Sequence, residues 1–273
     1  MRDAVATGKR HFALFGNPVR QSLSPLMMNA AFGAMGLRAG YESHRVENLE
    51  LAVRMIRERP LDGVSVTLPL KGAIMAFLDE VDDDARAIGA VNTVTNDRGR
   101  LRGSNTDWTG LSEAMQEHFA LKGRTVAVLG AGGAARAAVH AILRAGGTPM
   151  IFNRNRDRAE SLARWFSCET QPLAGLGAVE ADVLVNATPV GMHPHTGESP
   201  VDGRRLARFE WVVETIYNPL ETRLLREARA AGCGVVTGLT MFVRQGAEQI
   251  RTWTGLEPPV ELMTRVVRTT LEK

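Results

Sequence analysis

The stretch VAVLGAGGAARAA, residues 126–138, places an apolar strand-like run, a glycine-rich turn and the start of a helix in direct succession. Gly130 permits the tight turn, Gly132 lets the backbone approach a phosphate, and Ala135 stands at the third, close-packing position. The N-terminus of the helix then presents unpaired N–H groups to an anion. A glycine-rich turn can also be purely structural, but this strand–turn–helix order favours nucleotide binding. The residues expected to contact the nucleotide here are Gly130, Ala131, Gly132, Gly133 and Ala134.

Strand-like runs alternate with helical patterns on both sides of this stretch. Before it, the patterns predict strands at 11–16, 40–47 and 63–69, helices at 24–36 and 49–58, and a hairpin turn at 97–100. From residue 122 onward they predict strands at 124–130, 149–153, 181–188, 210–217 and 234–238, and helices at 133–147, 157–166 and 220–232. Ser24 is expected to cap the first helix. Strands interleaved with helices indicate an α/β fold with a largely parallel sheet, and the right-handed crossover rule makes the later series a doubly wound sheet.

The composition is that of an ordinary globular protein, because 44% of the 273 residues are hydrophobic, 23% are charged and the net charge is +3. Basic residues are scattered among acidic ones, so no nucleic-acid partner is expected. No apolar run approaches the roughly 20 residues that span a bilayer, and the start of the chain lacks the apolar stretch of a secretory signal. Cys168 and Cys233 have no metal-ligand spacing, and His193 and His195 have no obvious third ligand. We therefore expect a cytoplasmic monomer or homodimer with no metal site and no membrane partner.

The end of the second strand in the later series indicates which nucleotide binds. A site for NAD usually has Asp or Glu at this point, whereas this strand ends FNRNRDR, residues 152–158, with no acid at its tip. Asn153 can bond the ribose, and Arg154 and Arg158 offer charge-assisted bonds to a 2′-phosphate. The alternative is a solvated basic face, but positive charge at a helix start opposes the helix dipole. The sequence therefore predicts NADP(H), with cofactor contacts at Asn153, Arg154, Asn155 and Arg158.

A lysine follows the apolar run GVSVTLPLK, residues 63–71, and an aspartate ends GSNTD, residues 103–107. A dehydrogenase acting on a ketone or an alcohol needs a proton donor or acceptor near the carbonyl oxygen. A pair formed by Lys71 and Asp107 would serve, and each charge would lower the cost of placing the other in a cleft. Each residue also has an ordinary explanation, Lys71 as a surface residue after a turn and Asp107 as a helix cap. Spacing alone does not decide between these readings.

A series of motifs resembles the shikimate dehydrogenase family over nearly the whole chain. The motifs are GNPVRQSLSPLMMNAAF (16–32), GVSVTLPLK (63–71), GAVNT (89–93), GSNTD (103–107), GAGGAARA (130–137), NATPVGM (186–192), YNPLETRLL (217–225) and MFVRQGAEQIRTWTG (241–255). Their order is far more specific than any single motif. The resemblance implies an NADP-dependent enzyme that reduces 3-dehydroshikimate to shikimate in aromatic amino-acid (chorismate) biosynthesis.

The resemblance also implies roles for individual residues. It makes Lys71 catalytic with Asp107 as its partner, and it leaves open which of the two is the formal acid. It places a set of polar side chains at the substrate: Ser22 and Ser24 at the carboxylate, with Thr67, Asn92, Tyr217 and Gln245. It places Thr188, Met192 and Gly238 along the nicotinamide side of the cofactor.

Four positions depart from the pattern of that family. Gln21 and Met28 replace histidines, Ser65 replaces the usual asparagine before V-T, and Trp108 replaces a common glycine. None of them removes a catalytic group, but Ser65 and Trp108 lie close in sequence to Thr67 and Asp107, which bears on substrate preference. Quinate or a related polyol therefore remains an alternative substrate. A sensor without enzymatic activity is a further alternative, which the presence of both Lys71 and Asp107 disfavours.

Two domains are expected from this organisation. Residues 1–107 together with 239–273 would form a split α/β substrate domain, and residues 108–238 a Rossmann-like NADP-binding domain. A long C-terminal helix would cross back and bring Gln245 beside the residues of the first segment. Substrate and cofactor would then meet in the cleft between the domains, a common place for ligands in such folds.

Overall fold

The computed structural model describes residues 9–59 and 61–273, and its strands form two six-stranded sheets. Strands and helices alternate along each half of the chain, so the predicted α/β class is confirmed. The part of the predicted first domain that falls on residues 1–8 and on residue 60 lies outside the described residues. Within those described ranges, no helix has both the length and the apolar character needed to cross a bilayer.

The first sheet is mixed. Its strands are β1 (Arg10–Gly16), β2 (Ala39–Arg45), β3 (Gly63–Val66), β4 (Glu80–Val81), β5 (Thr93–Asp97) and β6 (Arg100–Ser104), in the spatial order β2-β1-β3-β5-β6-β4. β1 is parallel to β2 and β3, whereas β3 with β5 and β5 with β6 are antiparallel. The largely parallel pairing expected for this half is thus only partly found, because the predicted hairpin turns the chain back. Arg98 and Gly99 have φ of 53° and 91°, the left-handed conformations that a two-residue hairpin turn requires.

The second sheet is parallel throughout. Its strands are β7 (Thr125–Leu129), β8 (Thr148–Asn153), β9 (Glu169–Pro172), β10 (Val183–Asn186), β11 (Trp211–Glu214) and β12 (Gly234–Val236), in the order β12-β11-β10-β7-β8-β9. The first of these strands in the chain, β7, is central, and the order reverses between β7 and β10. This is the doubly wound Rossmann arrangement, which confirms the predicted fold and puts a ligand crevice at the carboxyl ends of β7 and β10.

Helices lie between these strands and after the last of them. They are α1 (Ser24–Ala34), α2 (Leu49–Glu58), α3 (Asp83–Ile88), α4 (Asp107–Gln116), α5 (Gly133–Arg144), α6 (Arg156–Phe166), α7 (Arg223–Ala230), α8 (Gly238–Thr254) and α9 (Val260–Leu271). The prediction that Ser24 caps α1 is wrong. Ser24 is the first residue of that helix, its N–H donates to Oγ of Ser22, and its own hydroxyl accepts from Ser22 instead of from a helical N–H.

The strand β7 is apolar along its whole length because both of its faces are buried. Val126 and Val128 pack with α5 residues in one hydrophobic cluster, whereas Ala127 and Leu129 pack in a second cluster on the opposite face. Successive side chains of a strand point to opposite faces, so a strand between two helical layers needs apolar residues at every position. The run before the glycine-rich turn is therefore apolar without interruption.

Helices α4 and α8 connect the two sheets. They cross closely at Gly110, where an added Cβ would lie 2.7 Å from the backbone nitrogen of Gln245. At its start α8 packs against the second half, since a Cβ on Gly238 would lie 2.2 Å from the carbonyl oxygen of Ile216. Near its end the indole N–H of Trp253 donates to the carbonyl of Val94 in β5. The predicted crossing of the C-terminal helix therefore occurs, and it brings Gln245 next to α4.

Candidate active site

The side chains of Lys71 and Asp107 meet between the two sheets. Nζ of Lys71 lies 2.5 Å from Oδ2 of Asp107, and the two side chains are 17% and 8% exposed. Strand β3 ends at Val66, earlier than predicted, and a turn carries the chain on to the lysine, whose carbonyl accepts from the N–H of Val91. The lysine is therefore held by backbone contacts on the side of the first sheet, and its charge is paired with a nearly buried carboxylate.

Asp107 does not cap α4, although it is the first residue of that helix. The Oδ1 atom of Asn105 accepts from the N–H groups of Asp107 and Trp108 at 3.0 and 3.4 Å. The carboxylate is therefore free to bond elsewhere: Oδ2 accepts from Lys71, and Oδ1 accepts from Nδ2 of Asn92 at 2.8 Å. The capping explanation considered for Asp107 is not what the structure contains.

The serine motif after β1 lies against the tyrosine of the YNPL motif. Oγ of Ser22 donates to Oγ of Ser24 at 3.1 Å, and the N–H of Leu23 donates to the phenolic oxygen of Tyr217 at 3.5 Å. The ring of Tyr217 stacks on Phe242 of α8 with a centroid distance of 3.9 Å. Burial raises the pKa of Tyr217, so its hydroxyl remains a hydrogen-bond donor at neutral pH. Residues that are about 200 positions apart in the chain thus form one polar cluster.

The remaining predicted substrate residues lie where β1, β3, β5 and α8 come together. A Cβ on Gly16 would lie 2.3 Å from Cγ2 of Thr67, so the ends of β1 and β3 approach closely only because that position is glycine. Asn92 precedes β5 and is buried, and its amide bonds Thr106 and Asp107. Gln245 is half-buried, and its side chain donates to the carbonyl of Phe242 in its own helix.

The glycine-rich turn has the geometry that an anion requires. Gly130 has φ of +117°, and an added Cβ would lie 2.7 Å from the carbonyl oxygen of Ala187. Gly132 has no atom within 4 Å of the place where a Cβ would be, which leaves open space above the start of α5. Gly133 is covered by the other half of the molecule, because a Cβ added there would lie 3.2 Å from Cδ of Lys71. The lysine therefore rests directly on the predicted nucleotide-binding turn, and the residues fit a dinucleotide.

The arginines after β8 differ in their partners. Arg156 bonds Glu160 at 2.6 Å, whereas Arg154 and Arg158 are exposed and have no acidic partner within residues 9–59 and 61–273. The loop itself is ordered by asparagines: Oδ1 of Asn155 caps α6 by accepting from the N–H of Arg158, and Nδ2 of Asn153 donates to the carbonyl of Asn155. Two unpaired cations next to an open glycine turn fit a nucleotide that carries an additional phosphate.

A buried carboxylate that the sequence analysis missed holds together the loops on the other side of the crevice. Glu214 ends β11, and its oxygens accept from the Asn186 amide, the Thr222 hydroxyl and the N–H groups of Thr215 and Ile216. Burial nevertheless raises the pKa of Glu214 to about 7. An acid at the end of the apolar run EWVVE was the signal that could have identified it.

The predicted nicotinamide-side residues lie on these loops. Oδ1 of Asn186 accepts from both the N–H and the hydroxyl of Thr188, which fixes the start of the loop after β10. Met192 follows in the same loop and is exposed. Gly238 lies against Ile216, so its lack of a side chain is explained by close backbone packing at the start of α8.

Glu214 leads to a prediction about stability and pH. Its pKa is about 7 in the folded protein and 4.5 in the unfolded chain, so between these values the folded state retains a proton that the unfolded state has lost. Stability from this group is complete below pH 4.5 and decreases as the pH rises through 7, by roughly 3 kcal/mol in total. We expect Glu214→Gln to remove this decrease, as measured by urea unfolding at pH 5 and pH 8. Glu180→Gln, at an exposed position, is the control, and an unchanged decrease in the Glu214 variant would contradict the prediction.

The four residues that depart from the family pattern differ in their burial and in their contacts. Gln21 is exposed, and Met28 is buried where α1 approaches Gly246 of α8. The Trp108 ring packs edge-on against His140 of α5 at 5.3 Å, which adds to the contact between α4 and α5. Ser65 is buried in a hydrogen-bond network with Tyr41 and Gln249.

Among the described residues there is no cluster of three or more His, Cys, Asp or Glu side chains suited to a metal ion.

Comparisons with known proteins agree with this geometry. Family models match residues 14–94 (shikimate dehydrogenase substrate binding domain), 112–195 (shikimate/quinate 5-dehydrogenase) and 238–268 (shikimate 5′-dehydrogenase C-terminal domain). The chain is 44% identical to the NADP(+) shikimate dehydrogenase of Shouchella clausii (strain KSM-K16). The match covers 95% of this chain and 98% of that protein.

Solved structures are also similar to this chain. The crystal structure of shikimate 5-dehydrogenase from Thermus thermophilus in complex with NADP(H) and shikimate is 43% identical, with a TM-score of 0.88, and the match covers 96% of this chain and 100% of that one. Quinate dehydrogenase from Corynebacterium glutamicum in complex with NAD is 31% identical, also with a TM-score of 0.88, over 96% of this chain and 99% of that one.

Proposed function

The chain belongs to the shikimate dehydrogenase family, and from this premise we propose that it catalyses the reversible, NADP-dependent reduction of 3-dehydroshikimate to shikimate. It is an oxidoreductase of the class that acts on CH–OH groups with NADP, and its place is in aromatic amino-acid biosynthesis. The observation that carries the proposal is the Lys71–Asp107 pair resting on Gly133, since it puts a largely buried ammonium group against the glycine-rich turn. A cytoplasmic location and a monomeric or homodimeric state remain predictions.

Lys71 is proposed to polarise and protonate the substrate oxygen. Its ammonium group has three N–H donors. One of them donates to Oδ2 of Asp107, which is the side-chain acceptor of Lys71 within the described residues. The other donors are available to the ring carbonyl oxygen and would stabilise the negative charge that develops there. In the direction of reduction a proton passes from Lys71 to that oxygen, while Asp107 orients the amine and balances its charge. The bound nicotinamide supplies the hydride.

The polar residues around this pair are proposed to hold the substrate. The hydroxyls of Ser22 and Ser24 would donate to its carboxylate, and the phenol of Tyr217 lies beside them. Thr67 and Gln245 would bind the ring hydroxyls. Asn92 belongs to the same set through its bond to Asp107. This assignment follows from the family resemblance and from the donor chemistry of these side chains, and the bond from Asn92 to Asp107 supports it for that residue.

NADP is proposed to lie along the second sheet. The turn from Gly130 to Ala134 would hold the pyrophosphate, and Asn153 to Arg158 the ribose and its 2′-phosphate. Thr188, Met192 and Gly238 would face the nicotinamide side. The open space at Gly132 and the two unpaired arginines support this placement.

The domain boundaries are part of the same proposal. We place residues 1–107 with 239–273 in the substrate domain and 108–238 in the NADP-binding domain. In support, α4 begins at Asp107 and α8 begins at Gly238, so both boundaries fall at the first turns of the two helices that connect the sheets.

A spectrophotometric assay of the purified protein tests the proposed function. Shikimate and quinate are each combined with NADP⁺ and NAD⁺, and formation of the reduced cofactor is followed. We expect the highest kcat/KM for shikimate with NADP⁺. A higher value for quinate would select the second candidate, which the similarity to quinate dehydrogenase favours. No reduction in any pairing would overturn the proposal and favour a sensor.

A further inference from the structure

A chain of hydrogen bonds runs behind the proposed catalytic pair, through residues to which no catalytic role has been assigned. The phenol of Tyr41 donates to Oγ of Ser65 at 2.6 Å, and this hydroxyl donates to Oε1 of Gln249 at 2.7 Å. Nε2 of Gln249 donates to Oγ1 of Thr93 and to the carbonyl oxygen of Asn92, both at 3.1 Å. Gln249 is only 2% exposed, so these contacts form without competition from solvent.

The chain continues to the Asp107 carboxylate. Oγ1 of Thr93 donates to Oδ1 of Asn92 at 2.8 Å, and Nδ2 of Asn92 donates to Oδ1 of Asp107 at the same distance. The orientation of the Asn92 amide is fixed, because the backbone N–H of Thr106 also donates to Oδ1 at 2.7 Å and a backbone N–H can only donate. Every hydroxyl and amide from Tyr41 onward therefore donates in one direction, toward the carboxylate that holds Lys71.

We propose that Gln249 is a positioning residue, whose amide sets the place of Asn92 and thereby of Asp107 in the reaction. Gln249 contacts both the backbone and, through Thr93, the side chain of Asn92, and it does so from α8, the helix that also carries Gln245 one turn earlier. Rotation of the Asn92 amide would leave Asp107 with one donor fewer and let the Lys71–Asp107 pair move. The inference rests on the function proposed above.

The departure at position 65 is connected to this role. Ser65 and Thr93 are direct partners in the antiparallel pairing of β3 and β5, so their side chains lie side by side on one face. An asparagine at 65, the residue usual in the family, would reach Thr93 with its own Nδ2 and accept from Tyr41 with Oδ1. In this chain the shorter serine leaves that amide position to Gln249, which fills it from helix α8.

Gln249→Met tests the inference, since it keeps the side-chain length and removes both polar atoms. We expect kcat with shikimate and NADP⁺ to fall about 10- to 100-fold, because small displacements of a catalytic group have effects of this size, while KM for shikimate changes by less than about threefold. Ser65→Ala, a milder change that takes the donor away from Oε1, is expected to lower kcat about threefold. Wild-type kcat in both variants would overturn the proposal.

A rescue experiment distinguishes a positioning role of Gln249 from a role in packing alone. In Gln249→Ala with Ser65→Asn, the amide is restored from β3, and we expect most of the kcat lost in Gln249→Ala to return. A loss that Ser65→Asn does not reverse would show that Gln249 acts only through packing, which also overturns the proposal. Asn96→Ala is the matched control, because Asn96 is an amide on β5, the strand that carries Thr93, and it bonds the carbonyls of Ile56 and Leu61, away from Asp107. It is expected to lower the Tm and leave kcat unchanged.

The same assay keeps the two hypotheses apart. Wild-type protein that does not oxidise shikimate would refute the proposed function, whereas an active wild type with unaffected Gln249 variants would refute only the role of Gln249. Thermal unfolding of each variant confirms that the purified protein is folded at the assay temperature.

Discussion

A Lys71→Ala variant is expected to lose about 10²- to 10⁴-fold in kcat, with a much smaller change in the KM for shikimate. The lysine, the proposed proton donor, lies 2.5 Å from Asp107 and rests on the glycine-rich turn. Its removal would take away both the polarisation of the carbonyl oxygen and the proton. Steady-state kinetics with shikimate and NADP⁺ measure the effect. The serine, threonine and tyrosine hydroxyls that are proposed to bind the substrate remain in place, which is why KM changes little.

Two further lysine variants sharpen this test. Lys122→Ala removes an exposed lysine remote from the site and should leave kcat unchanged. Lys71→Arg keeps the positive charge, but a guanidinium does not release its proton at ordinary pH. If Lys71 transfers the proton, Lys71→Arg stays strongly impaired. A kcat near that of the wild type in Lys71→Ala would remove this residue from the mechanism.

The second large effect concerns the cofactor. Arg154→Ala combined with Arg158→Ala is expected to raise the KM for NADP⁺ about 10- to 100-fold and to change the KM for NAD⁺ by less than about twofold, since each arginine offers a charge-assisted bond to the 2′-phosphate alone. Both side chains are exposed and have no acidic partner in the described part of the chain, so they are available to an anion. The measurement is initial rates over a range of either cofactor.

Arg156→Ala is the matched control for the cofactor variants. Arg156 lies in the same turn, but Glu160 already neutralises it. Its replacement should leave the preference for NADP⁺ unchanged. Equal losses with NADP⁺ and NAD⁺ in the Arg154 and Arg158 variant would show that these arginines do not read the 2′-phosphate.

The fold was predictable where its signals are local. The run before Gly130, the turn itself and the alanine-rich α5 appear within thirteen residues of sequence, and the structure contains all three. Strand β9 was missed because ETQP is short, polar and ends in proline. Helix α9 was missed although Val260, Met263 and Val267 recur at helical spacing, because its valines and threonines have low helix propensity.

The candidate site was less accessible to sequence reasoning. The pairing of Lys71 with Asp107 came from the family resemblance, since spacing could not exclude a surface lysine and a helix cap. Gln249 carries no local signal at all: its partners Ser65 and Thr93 precede it by 184 and 156 positions, and only the crossing of α8 over β3 and β5 brings them together. Glu214 does have a local signal, an acid at the end of an apolar strand, but its hydrogen-bond partners could not be predicted because they come from three separate segments.

The position of Lys71 above Gly133 limits how freely the two halves of this protein can be exchanged with those of other dehydrogenases. In a chimera that receives a foreign nucleotide-binding half, a side chain at the corresponding place would push against the methylene groups of the lysine, since a Cβ there would lie 3.2 Å from Cδ of Lys71. Neither half holds a complete reaction centre by itself. Recombination between relatives is therefore expected to preserve catalysis best where the incoming turn carries glycine at this place and leaves the lysine where it is.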